Sequence, residues 1–161
     1  MTEFDRILVP LDGSSLAAKA LPIATSLARK FESTIILLCV LDIPTPSAPA
    51  SHPEITIDWV MEARKHALQE AESYLNVRQG EIYEQGIRVR TLLRDTSPAE
   101  DILNVAVAEK IDLIVMTSHG QGGLARWTFG SVADKVARHS PCPVLLVRQR
   151  STGERDEVVE R

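Results

Sequence analysis

Residues 111–148 read IDLIVMTSHGQGGLARWTFGSVADKVARHSPCPVLLVR. Asp112 to Met116 (DLIVM) is a short apolar run, of strand length and free of turn residues. A glycine-rich loop follows. It holds Gly120, Gly122, Gly123 and Gly130, four of the eight glycines in the chain. A helix is expected from near Ser131, broken by Pro141-Cys142-Pro143. Val144 to Val147 (VLLV) closes the stretch as a second apolar run. Strand, loop, helix and strand in this order form one βαβ unit.

The same alternation extends towards the N-terminus. Arg6 to Leu11 (RILVPL) is a strand buried on both faces, stopped by Asp12-Gly13. Ser14 or Ser15 can cap the helix that follows, with Leu16, Ala20, Ile23, Ala24 and Leu27 at helical spacing. Arg29 and Lys30 suit its C-terminal end. Thr34 to Leu41 (TIILLCVL) is the second strand. Pro44 to Pro53 contains four of the nine prolines and reads as a loop. A long amphipathic helix is expected over 58–78, with Val60, Ala63, Ala67, Ala71, Tyr74 and Leu75 on one face. Ile87 to Leu93 is the third strand, and its alternating start marks an edge position. Ser97-Pro98-Ala99-Glu100 has the form of a capping box with proline in the first turn. The helix behind it turns Ile102, Leu103, Ala106 and Val107 inward.

Five strands alternating with helices make an α/β, doubly wound parallel sheet with right-handed crossovers and helices on both faces. One domain over 1–148 accounts for the pattern, followed by a polar tail over 149–161. Bulk properties agree with that class: 161 residues, 44% hydrophobic and 25% charged. A net charge of −4 with no basic stripe, and 4% aromatic residues, argue against nucleic acid as a partner. The longest apolar run, Ile35 to Leu41, is far short of the roughly 20 residues a membrane-spanning helix needs. The two cysteines, Cys39 and Cys142, are far apart and read as thiols in a reducing cytoplasm.

Open parallel sheets bind ligands beyond the carboxyl ends of their strands, where chain order reverses. With the first and fourth strands adjacent, two segments meet there: Pro10-Leu11-Asp12-Gly13 and the loop from Thr117 to Ser131. Asp12 suits a ribose hydroxyl or a water on magnesium. Gly120 and Gly130 can bring backbone amides near an anion, and Gly130-Ser131 opens the last helix. Ser131 is equally a plain helix cap, so spacing alone leaves anion site and turn-and-cap both open. No G-x-x-x-x-G-K-[ST] string and no G-x-G-x-x-G turn occurs. Without a P-loop lysine, binding is better supported than fast hydrolysis. His119 and Arg126 lie in or near the loop, and a structural histidine and a solvated arginine are their default readings. His52, His66 and His139 show no metal-ligand spacing.

These residues carry a resemblance. RILVPLDGS, LLCVLD, SPAEDILNVAVAEKIDLIVMTSHG and GLARWTFGSVADKVARHSPCPVLLVR resemble the universal stress protein family, from Arg6 to Arg148. ATP-binding members carry G-x2-G-x9-G-[ST]. Here Gly120, nine residues and Gly130-Ser131 match it, while Thr117 stands at the first glycine. A threonine with extended backbone at a strand end is tolerated there. The resemblance implies a Rossmann-like five-stranded sheet in the order 3-2-1-4-5 and an ATP site, with Mg2+ as the accompanying ion. Pro10, Leu11 and Asp12 would border the adenosine and Val40 the adenine edge. Met116 would pack on the base and Thr117 sit by the ribose. Gly120, Gly130, Ser131, Val132 and Ala133 would line the phosphates. Read without the resemblance, Val40 and Met116 are ordinary strand core. The implied role is a regulatory stress-response module. The alternatives are a slow ATPase in the same pocket, or a member that binds no nucleotide and works through protein contacts. An apolar last strand at the sheet border, Val144 to Val147, also predicts a homodimer through that edge.

Overall fold

The computed structural model describes residues 4–41, 57–118 and 130–148. Gly120, His119, Arg126, the proline-rich loop and the tail lie outside the described residues. The strands are β1 (Arg6–Leu11), β2 (Thr34–Val40), β3 (Arg88–Arg94), β4 (Leu113–Thr117) and β5 (Val144–Val147). The helices are α1 (Leu21–Phe31), α2 (Ile57–Tyr83), α3 (Pro98–Ala108) and α4 (Ser131–His139). All strand pairs are parallel, in the order β3-β2-β1-β4-β5. The expected doubly wound sheet is therefore the observed one.

The three inner strands, β1, β2 and β4, are apolar runs because both faces are covered. Ile7, Val9, Ile35, Leu37 and Val115 pack beneath α1 and α2. Leu8, Ile36, Leu38, Ile114 and Met116 pack beneath α3 and α4. The helices follow the expected sequence of elements but differ in detail. A 3-10 turn, Ala17–Ala20, precedes α1, because Pro22 suits the first turn of a helix and not its interior. The buried stripe there is Ala17, Ala20, Leu21, Ala24 and Ala28, whereas Ile23 is exposed. Small residues let this helix lie close to the sheet. In α3 the inward residues are Ala99, Ile102, Val105 and Ala106, and Val107 faces solvent. The capping box does not form. Ser97 makes no side-chain cap bond. Thr96 Oγ1 instead donates to Asp101 at 2.6 Å, and Glu100 pairs with Lys135 of α4 at 3.1 Å.

Helix α2 has 27 residues, so it is about 40 Å long. The seven-residue strand β3 beneath it spans only about 23 Å. Burial on α2 is confined to Ala71, Leu75 and Ile82, so its N-terminal part overshoots the carboxyl edge of the sheet. Ala63 is exposed, contrary to the expected face, and Trp59 and Met61 are exposed beside it. Arg64 pairs with Asp95, just past the end of β3, and anchors this overshoot. Among the described residues no helix is long and apolar enough to cross a membrane.

Candidate functional site

The topology reverses between β1 and β4, and their carboxyl ends form the candidate site. The gap between them has a cause in the backbone. The Asp5 carbonyl accepts the Thr34 amide of β2, and the Arg6 carbonyl accepts the Asp112 amide beside β4. Backbone groups alternate sides along a strand, so Arg6, Leu8 and position 10 face β4. Position 10 is proline, which has no N–H to donate. Pairing of β1 with β4 runs Ile7↔Leu113 and Leu8↔Ile114 and goes no further. On the other side β1 stays paired with β2 as far as Leu11↔Cys39. The sheet thus parts between Pro10-Leu11-Asp12 and Met116-Thr117-Ser118.

On the first wall, Gly13 adopts φ +80, a turn conformation that glycine takes at little cost. Asp12 Oδ1 accepts hydrogen bonds from the Ser14 amide at 2.9 Å and the Ser14 hydroxyl at 2.5 Å. Ser14 Oγ in turn accepts the Ala17 amide at 3.1 Å. The carboxylate is therefore held at the rim, half-buried, by the turn that launches the first helix. Below it lies Cys39, whose thiol is pushed up to about 11 by burial, with the Asp12 charge adding to the shift. This thiol stays protonated at neutral pH.

On the second wall, Thr117 is the last residue of β4, and Thr117 and Ser118 are both buried. The non-glycine residues with positive φ among those described are Glu32 and Lys110. Thr117 therefore keeps the ordinary strand backbone expected of it. The Ser118 carbonyl accepts the Gly130 amide at 2.8 Å, and the Ser118 amide donates to the Val147 carbonyl at 3.2 Å. This corrects one expectation: the Gly130 amide is used within the chain. The donors left at the start of α4 belong to Ser131, Val132 and Ala133. The first amide to reach back along that helix is that of Asp134, to the Gly130 carbonyl at 2.9 Å. Ala133 is buried, Val132 half-buried and Ser131 exposed. Val40 and Met116 belong with Val132 and Ala133 to the core beneath α3 and α4, while Leu11 lies in the opposite core. Among the described residues no group of three His, Cys, Asp or Glu is placed to hold a metal.

Two participants were absent from the sequence-based site, Ser14 and Ser118. The first had a legible signal: a serine two residues after Asp12 has the spacing of an Asx turn. Ser118 acts through its backbone and left none.

A doubly wound sheet parted at its switch point, with a helix N-terminus on one side and a carboxylate on the other, defines a Rossmann-like α/β protein with a carboxyl-edge site. The universal stress protein family model matches residues 3–148. The chain belongs to that family. The universal stress protein YxiE of Bacillus subtilis is 33% identical over 147 residues, covering 90% of this chain and 99% of its own. The solved structure of MJ0577, a universal stress protein of Methanocaldococcus jannaschii, is 28% identical with a TM-score of 0.80, covering 93% of this chain and 99% of its own. A universal stress protein family protein from Arabidopsis thaliana, solved with AMP bound, shares the fold at 14% identity. Its TM-score is 0.59, over 91% of this chain and 92% of its own.

Proposed function

We propose that this chain is an ATP-binding regulatory module of the stress response, working in the cytoplasm. The observation that carries the reading is the parting of β1 from β4 at Pro10. It sets Asp12 opposite the first amides of α4 at the place where this fold receives ligands. In this reading Pro10, Leu11 and Asp12 border the adenosine, with the Asp12 carboxylate towards the ribose. Val40 meets the adenine edge through its backbone. Met116 and Thr117 support base and ribose. Gly120 and the start of α4 take the phosphates: Gly130 sets the turn, and the amides of Ser131, Val132 and Ala133, left over at the helix start, favour anions together with the helix dipole. Family membership supports the assignment, and AMP in a relative of the same fold is consistent with it.

Magnesium fits the donor set. The ion takes one or two carboxylates and completes its shell with water and phosphate oxygens, and Asp12 is a single carboxylate at the rim. A cytoplasmic setting accords with two free cysteines, Cys39 and Cys142, in cores on opposite faces of the sheet. We place a homodimer contact at the outer edge of β5, where Leu145 is exposed on an apolar border strand.

Calorimetry with ATP, in the presence and absence of magnesium, tests the reading. Saturable binding that weakens at least about tenfold, about 1.4 kcal/mol, in Asp12→Ala is expected. Absence of heat at millimolar ATP in the wild-type protein removes it.

A further inference from the structure

Ser14 is tied to Asp12 more closely than a helix start requires. The turn begins where β1 ends at Leu11, and Gly13 permits it with φ +80. Among the described residues, nothing lies within 4 Å of where a Cβ on Gly13 would sit, so the glycine serves backbone conformation rather than clearance. The chain folds back there, and the Ser14 amide reaches Asp12 Oδ1 at 2.9 Å in the manner of an Asx turn. Ser14 Oγ accepts the Ala17 amide at 3.1 Å and so caps the 3-10 turn. Those two bonds account for the helix start. The Ser14 hydroxyl makes a third, donating to Asp12 Oδ1 at 2.5 Å.

That third bond has a fixed direction. A serine hydroxyl has a single proton, and with the Ala17 amide pointing at Oγ the proton goes to the carboxylate. A hydroxyl on an ionised carboxylate belongs to the stronger class of hydrogen bonds. Asp12 Oδ1 thus accepts two donors from one residue, which takes up its accepting capacity and fixes the plane of the carboxylate. What the group presents to a ligand is the accepting capacity of Oδ2, which also has two positions for donors. At a switch point, a strand-end carboxylate of this kind suits the ribose 2′-hydroxyl, a donor that a deoxyribose lacks. A carboxylate locked in one plane before binding discriminates better than one that must be ordered by the ligand.

We infer that Ser14 is a positioning residue that makes the crevice selective for ribonucleotides over deoxyribonucleotides, by holding the Asp12 carboxylate in the orientation that meets the ribose. The inference rests on the nucleotide reading of the crevice and adds to it the part of the ligand on which selection acts.

The test compares ATP with dATP on the full chain by calorimetry, with a melting curve to verify folding of each variant. The wild-type protein is expected to bind ATP at least about tenfold more tightly than dATP. In Ser14→Ala that ratio falls towards unity through loss of ATP affinity, with dATP affinity kept, and Ser14→Thr, which retains the hydroxyl, keeps the wild-type ratio. A purely structural role would weaken both ligands alike and leave the ratio unchanged. A Ser14→Ala protein with the wild-type ratio therefore overturns the role of Ser14, and a wild type that binds both ligands equally overturns it without any variant. In both cases nucleotide binding stands. A wild type that binds neither ligand removes the nucleotide reading as well.

Discussion

Pro10 shapes the crevice through an atom it lacks. Substituting Pro10→Ala supplies an amide facing β4, and the ladder can then extend beyond Leu8↔Ile114. A newly protected amide at position 10 in hydrogen exchange is expected, together with weaker ATP binding. Unchanged binding with a closed ladder would show that the gap is irrelevant to the ligand. Thr117 illustrates the converse: its backbone is that of an ordinary strand residue, so threonine there carries no backbone strain. Cys39 yields a prediction in pH. Its folded-state pKa is about 11, against an ordinary value of 9.0. Above pH 9 the unfolded chain gives up this proton before the folded one does. The contribution of this thiol is therefore complete below pH 9 and is lost as pH rises towards 11. Cys39→Ala is expected to flatten the alkaline decline of stability measured by urea unfolding. An equal slope in both proteins would refute the assignment.

At the scale of elements, strands were the most legible part of the sequence. Uninterrupted apolar runs in an α/β chain point to burial on both faces, as in β1 and β4, and these two, with the half-buried border strand β5, fall within a residue of their expected bounds. Helix faces were less legible. In α1 the bulky Ile23 stands beside a stripe of alanines, and proximity to the sheet selects the small residues rather than the most hydrophobic ones. In α2 the exposed arm extends a regular pattern past the point where there is sheet to cover. Its stability must be local, so amides over 58–66 are expected to exchange well before those over 71–82, measured by hydrogen-exchange mass spectrometry. The centre of the sheet behaves oppositely. Leu37 has 0% exposure, and Leu37→Ala is expected to cost about 2–5 kcal/mol in denaturant unfolding.

At the scale of the molecule, both borders of the sheet matter. The β3 border carries Arg88, Arg90 and Arg94, charges that discourage another strand from pairing there. The β5 border lacks such protection, which is why the second copy is placed on that side. Analytical ultracentrifugation should find a dimer, and Leu145→Lys should shift it to monomer with ATP affinity kept. A wild-type monomer would end that proposal. The site itself was legible in parts. The Asp12 turn and the helix start at Gly130-Ser131 stand out as local strings. The contributions of Ser118 and Pro10 are main-chain effects that exist only once β1, β4 and β5 lie side by side.

That juxtaposition has a thermodynamic consequence. Asp12 and Ala133 are separated by most of the chain, and no partial fold can present both. A nucleotide held between them would be lost on global unfolding, so occupancy resists denaturation of the whole domain. At a hundredfold excess over the dissociation constant, the increment is about 2.7 kcal/mol. The melting temperature should accordingly climb with ATP concentration. A fall in cellular energy charge would then shorten the lifetime of the folded polypeptide, converting a metabolite level into protein abundance.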